Sequence, residues 1–111
     1  MERVQGYQRD VAATIANGAA ESSIINFRGY AGGLFQIPAS FTGASVSFVV
    51  SATETGTYTA LHDATNTVVS QTVTSSKSYP LPASLFGAGF FKFVSASNET
   101  GAKTITVSLK Y

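Results

Sequence analysis

The chain has 111 residues, a formal net charge of +1, no cysteine and 12% charged residues. A chain of this length is a single domain that buries roughly two-thirds of its unfolded surface, so it has a real but modest core. Without cysteine there is no disulfide, no thiolate nucleophile and no Cys-ligated zinc, and seven Lys and Arg spread along the chain form no basic stripe for nucleic acid.

Ser and Thr make up about a quarter of the residues. Sparse charge with ordinary hydrophobicity is not a disordered composition. It fits a β protein whose exposed strand faces carry hydroxyls. The N-terminus, Met1-Glu2-Arg3-Val4-Gln5-Gly6-Tyr7-Gln8-Arg9-Asp10, has no apolar core of a secretory signal. No run approaches the roughly 20 apolar residues of a membrane span, so a soluble polypeptide made in the cytoplasm is expected. Residues 1–9 read either as a frayed terminus or as an arm that orders against a neighbouring subunit. Residues 10–111 then form a single domain.

Period-two alternation dominates from there. Strands are expected at 10–16, 22–27 and 33–37, with Asn17-Gly18 as a turn. Residues 45–53 place Val46, Phe48, Val50 and Ala52 on one face. Residues 57–62 and 67–74 form a hairpin around Asp63-Ala64-Thr65-Asn66, because Asp and Asn bond their own backbone and tolerate left-handed geometry. Pro80-Leu81-Pro82 forces an extended approach to a short helical turn at 83–86. Residues 89–97 carry Phe90, Phe91, Phe93 and Val94, bulk on both faces, which predicts a central or doubly covered strand; Lys92 among them is expected to snorkel outward. In the last strand, 103–111, Ile105, Val107, Leu109 and Tyr111 face the core. About seven to nine strands separated by Gly, Pro, Asn and Asp predict an all-β antiparallel sandwich or jelly roll.

The segment Pro38-Ala39-Ser40-Phe41-Thr42-Gly43-Ala44 is echoed as Pro82-Ala83-Ser84-Leu85-Phe86-Gly87-Ala88. Val50-Ser51-Ala52 returns as Val94-Ser95-Ala96, and Glu54-Thr55-Gly56 as Glu99-Thr100-Gly101. Such a recurrence suggests one supersecondary unit used twice.

No catalytic constellation emerges. The single histidine, His62, sits beside Asp63 at a turn and reads as a surface residue. No metal-ligand spacing or Asp-rich calcium loop is present. Candidate paired carboxylates are Glu21, Glu54, Asp63 and Glu99. Of these, Glu54 and Glu99 occupy matching turns and read as structural, with Gly56 and Gly101 supplying positive φ. Gly29-Tyr30-Ala31-Gly32-Gly33 lacks the Lys and Ser/Thr of a phosphate loop and reads as a flexible loop. Tyr30, Tyr58 and Tyr79 could line a sugar platform, or sit at the core edge with wet hydroxyls.

Leu34-Phe35-Gln36-Ile37-Pro38-Ala39-Ser40-Phe41-Thr42-Gly43, followed by Val46-Ser47-Phe48-Val49-Val50-Ser51-Ala52, resembles small phage virion proteins. Leu61-His62-Asp63-Ala64-Thr65-Asn66-Thr67-Val68-Val69 resembles the hairpin that follows in them. Tyr79-Pro80-Leu81-Pro82-Ala83-Ser84-Leu85-Phe86 and Phe91-Lys92-Phe93-Val94-Ser95 resemble their second half. The likeness spans about residues 33–111 and leaves the N-terminal third uncovered. It implies a capsid decoration, or cement, protein of a tailed bacteriophage: a β-sandwich virion protein, made in the host cytoplasm, that binds the capsid surface and bridges subunits of the major capsid protein. A dimer or trimer is expected, with no cofactor, metal, nucleic acid or membrane involved. Contacts are expected from Arg3, Val4, Tyr7, Arg9, Arg28 and Tyr30. The alternatives are a carbohydrate-binding module using Tyr58 and Tyr79, or a tail or head-completion component.

Overall fold

Alternating residues become two antiparallel sheets in the computed structural model, which describes residues 8–110. In chain order the strands are β1 (Gln8–Ile15), β2 (Ile25–Asn26), β3 (Gly32–Gln36), β4 (Ser45–Ser51), β5 (Thr59–Ala60), β6 (Ser70–Thr72), β7 (Ser78–Pro80), β8 (Phe90–Ser95) and β9 (Lys103–Lys110). One sheet has the order β1-β9-β3-β7, the other β2-β8-β4-β5, with β6 also on β4. β5 meets β4 at Val49 and Val50, and β6 meets it at Ser45 to Ser47. The two short strands thus act as one interrupted strand, and eight strands wrap the sandwich in jelly-roll order.

β9 is the spine of its sheet, paired with β1 along its whole length and with β3 on the other side. Ile105, Val107 and Leu109 are fully buried while Thr104 and Thr106 are exposed, as the alternation requires. Tyr111, expected on the same face, lies outside the described residues. In the opposite sheet β8 lies between β2 and β4. Phe93 stands at the centre of the core, its ring 5.1 Å from Phe35, 5.3 Å from Phe48 and 5.4 Å from Phe91. Ala13, Ile15, Ile25 and Phe27 close one side, and Ile37, Leu81 and Leu85 another part of the same core.

The expected central strand is therefore present, and its outward residues are covered as well. Phe90 is 5% exposed because the Arg28 guanidinium lies 4.8 Å from its ring centroid. Lys92 does not simply reach for water: its ammonium lies 4.7 Å from the Tyr58 ring centroid and 3.4 Å from Glu21 Oε1.

Several strands are shorter than the alternation suggests. Only Ile25–Asn26 of 22–27 is strand, because the segment ahead of it divides its hydrogen bonds between the sheets: the Ser22 N–H donates to Phe93 and the Ser23 N–H to Thr14. Of 57–62 and 67–74, only Thr59–Ala60 and Ser70–Thr72 pair along β4. β7 is an additional strand. Its Pro80 fits because β7 is an edge, where a missing N–H costs no ladder bond. The short helical turn is observed as the 3-10 turn Ala83–Gly87. The glycine-rich stretch is not a free loop: the Ala31 N–H donates to Lys110 at 2.7 Å, and Gly32 and Gly33 begin β3. The expected arm at 1–9 also changes its boundary, since Gln8 and Arg9 belong to β1 and residues 1–7 lie outside the described residues.

The two echoed strands, β4 and β8, are hydrogen-bonded partners, with Val46 opposite Ser95 and Ser51 opposite Phe90. The echo aligns Val46 with Phe90 and Phe48 with Lys92. Val46 and Phe48 belong to the core cluster, whereas Phe90 and Lys92 point away from it. The copies adjoin, but in the register that turns matched positions to opposite faces.

Their Glu-Thr-Gly turns separate as well. Glu54 is exposed, whereas Glu99 is 1% exposed. The Glu99 carboxylate accepts the N–H of Thr42 at 2.8 Å, the N–H of Gly43 at 3.0 Å and the Ser95 hydroxyl at 2.8 Å. The acid of the second copy thus clamps the turn of the first. Gly43 is required there because a Cβ would collide with Ser95 Oγ. Burial pushes the Glu99 carboxyl up, but donation from Thr42, Ser95 and Gly43 outweighs it and holds the group below the ordinary value of 4.5. Gly101 does adopt positive φ, at 81°, whereas Gly56 does not.

Candidate functional site

β1 and β2 are edge strands of different sheets, and they meet along one seam of the sandwich. A hollow of about 240 Å³ opens there, lined by Arg9, Val11, Asn26, Arg28 and Tyr30. Alternation along β1 puts Arg9 and Val11 on one side of the strand. Val11 packs against the core, and Arg9 stands at the rim. From the other wall, Asn26 ends β2, and its Oδ1 accepts both the backbone N–H of Arg28 at 3.1 Å and the Arg28 Nε–H at 3.3 Å. Phe90 supports the guanidinium from below. Arg28 is therefore held at its Nε edge and its flat face, and its terminal amino groups have no partner among the described residues. Tyr30 follows the turn at Gly29 and stacks near Phe27, ring centroids 6.4 Å apart.

The structure thus brings together Arg9, Arg28 and Tyr30, three residues that the sequence nominates separately; Arg3, Val4 and Tyr7 lie outside the described residues. Sequence reasoning did not include Val11 or Asn26. The signal for Asn26 was present, as an Asn two residues before an Arg can close a side-chain turn on the following backbone. Nothing local signalled that Val11 would sit across a seam from Asn26.

Other candidates do not converge. Asp63 accepts the Thr65 hydroxyl at 2.7 Å, the Thr65 N–H at 2.9 Å and the Thr67 N–H at 3.0 Å. The Thr65 hydroxyl bond first, then the Thr67 N–H, holds its carboxyl below the ordinary range. It organises the hairpin tip, where Asn66 adopts φ 64°. Tyr58 carries Lys92 over its ring, and Tyr79 packs beside Phe35 at 5.8 Å in the other sheet while its oxygen accepts the Thr74 N–H. The two rings form no shared platform. No group of three His, Cys, Asp or Glu among the described residues could hold a metal. A second hollow of about 290 Å³, lined by Val50, Ser51, Ala52, Thr57, Thr59 and Gly87 to Gly89, has no charged side chain.

No family model and no curated protein matches the chain. Among solved structures, the crystal structure of the SPBc2 prophage-derived protein YomS superposes with a TM-score of 0.61, covering 99% of this chain and 100% of that one at 17% sequence identity. At that identity the likeness shows a shared fold.

Proposed function

We infer that this chain is a structural protein of a tailed-phage particle, a non-enzymatic decoration protein that binds the outer capsid surface and bridges neighbouring capsid subunits. The observation that carries the reading is the end-to-end match of its jelly roll to a prophage-derived protein. The virion-protein resemblance of residues 33–111 points the same way. Cementing is a binding function: a protein that binds the assembled shell better than its dissociated parts stabilises the shell by mass action. It needs area and anchor residues rather than a reaction centre. The sandwich offers hydroxyl-rich strand faces, the Arg9–Arg28 hollow, and the exposed apolar side chains Leu34 and Phe86. In this reading the partner is the major capsid protein, the chain self-associates as a dimer or trimer, and it takes no cofactor, nucleic acid or membrane.

Quantifying the chain against the major capsid protein in purified particles tests the assignment. A cement protein is present in numbers comparable to the capsid protein and is recruited by empty capsids. A handful of copies per particle would instead identify a tail or head-completion component.

A further inference from the structure

We propose that the hollow between β1 and β2 is a receptor for a carboxylate side chain of a protein partner, with Arg9 and Arg28 as its cationic walls. The chain contains three arginines, Arg3, Arg9 and Arg28, all near its start, while its four lysines, Lys77, Lys92, Lys103 and Lys110, come later. Two of those arginines converge on this one hollow. Neither has an ion pair among the described residues. The nearest acid in sequence, Asp10, alternates to the opposite side of β1 and accepts the Ser108 hydroxyl at 2.9 Å. Glu21 is engaged by Lys92. Two guanidiniums facing one space with no counter-charge among the described residues repel one another, and an incoming anion relieves that repulsion.

The geometry selects the kind of anion. Arg28 is fixed by Asn26 and Phe90, and its terminal amino groups have no partner among the described residues, so the fork that matches a carboxylate is ordered before binding. Val11 offers an apolar wall for the methylenes of a Glu or Asp side chain. A nucleic-acid backbone would demand further cations along a track, and among the described residues the hollow holds two. Arginine is enriched among the residues that anchor protein–protein contacts. The inference rests on the cementing reading only for the source of the carboxylate.

The test is an NMR titration of the full chain with the blocked peptide acetyl-Gly-Glu-Gly-amide, its Gln counterpart and inorganic phosphate. The Glu peptide should give saturable shifts at Asn26, Arg28 and Tyr30, and the Gln peptide none. Affinity should fall about three- to ten-fold in R9Q and in R28Q, and should weaken with added salt. R28Q also uncovers Phe90, so R9Q, which leaves that packing intact, carries the test if R28Q is unstable. Equal shifts with both peptides, no saturation, affinity unchanged in R9Q, or phosphate displacing the peptide at equal concentration would each overturn the proposal. Particle copy number is measured separately, so a failed titration with a decorated capsid removes this site alone. Peptide binding by a chain absent from particles removes the cementing reading alone.

Discussion

Replacing Glu99 with Gln keeps the shape of the side chain and removes the charge on which the N–H groups of Thr42 and Gly43 and the Ser95 hydroxyl converge. At least one of those donors then faces an amide NH₂. E99Q should lose about 1–3 kcal/mol in urea unfolding at neutral pH. The same bonds set a pH dependence. Because the folded carboxyl titrates below its ordinary value of 4.5, the unfolded chain takes up this proton first as pH falls. The stabilisation is complete above that value and is lost as pH falls through the folded one. Stability curves of wild type and E99Q should therefore converge below pH 4.5, and parallel curves would show that Glu99 does not carry the effect. The sequence marked Glu99 as a turn residue and matched it with Glu54. Its two backbone partners, the N–H groups of Thr42 and Gly43, are more than fifty positions away, so no local pattern could have separated the two.

At the scale of elements, β8 and β9 show why alternation was readable. Where one face of a strand is buried, register is strongly specified and the residue types declare it. Phe93, enclosed by Phe35, Phe48 and Phe91, should cost about 3–5 kcal/mol when truncated to Ala. Leu34, 52% exposed on β3, should cost no more than about 0.5 kcal/mol. Comparing their urea midpoints checks the assignment of inner and outer faces. β2, β5 and β6 are shorter than their alternation predicts because a short strand is limited by where its neighbour ends, which its own residues do not record. β7 is not legible in the sequence for a related reason: Pro80 argues against a strand except at an edge, and edges are a property of the sheet.

For the molecule as a whole, the seam between the sheets is where the proposed binding role concentrates. β1 contributes Arg9 from one sheet, and the β2 end contributes Asn26 and Arg28 from the other. Because Arg9 is held within β1, deleting residues 1–7 separates the terminal segment from the strand-borne contact. If the chain is a cement protein as proposed, the truncated chain should bind capsids more weakly; unchanged capsid affinity would exclude the segment as an anchor.

The sequence by itself determined the all-β class, the central character of β8, the inward face of β9 and the hairpin at Asp63 to Asn66. Those features follow from side-chain alternation and local turn chemistry, which act over a few residues. Tertiary structure alone decided that the echoed strands pair with matched positions on opposite faces, that Glu99 is buried while Glu54 is not, and that Arg9 meets Arg28. Each of these depends on strand order and register, set by the packing of one sheet against the other, and residues distant in the chain acquire a shared environment only when that packing forms.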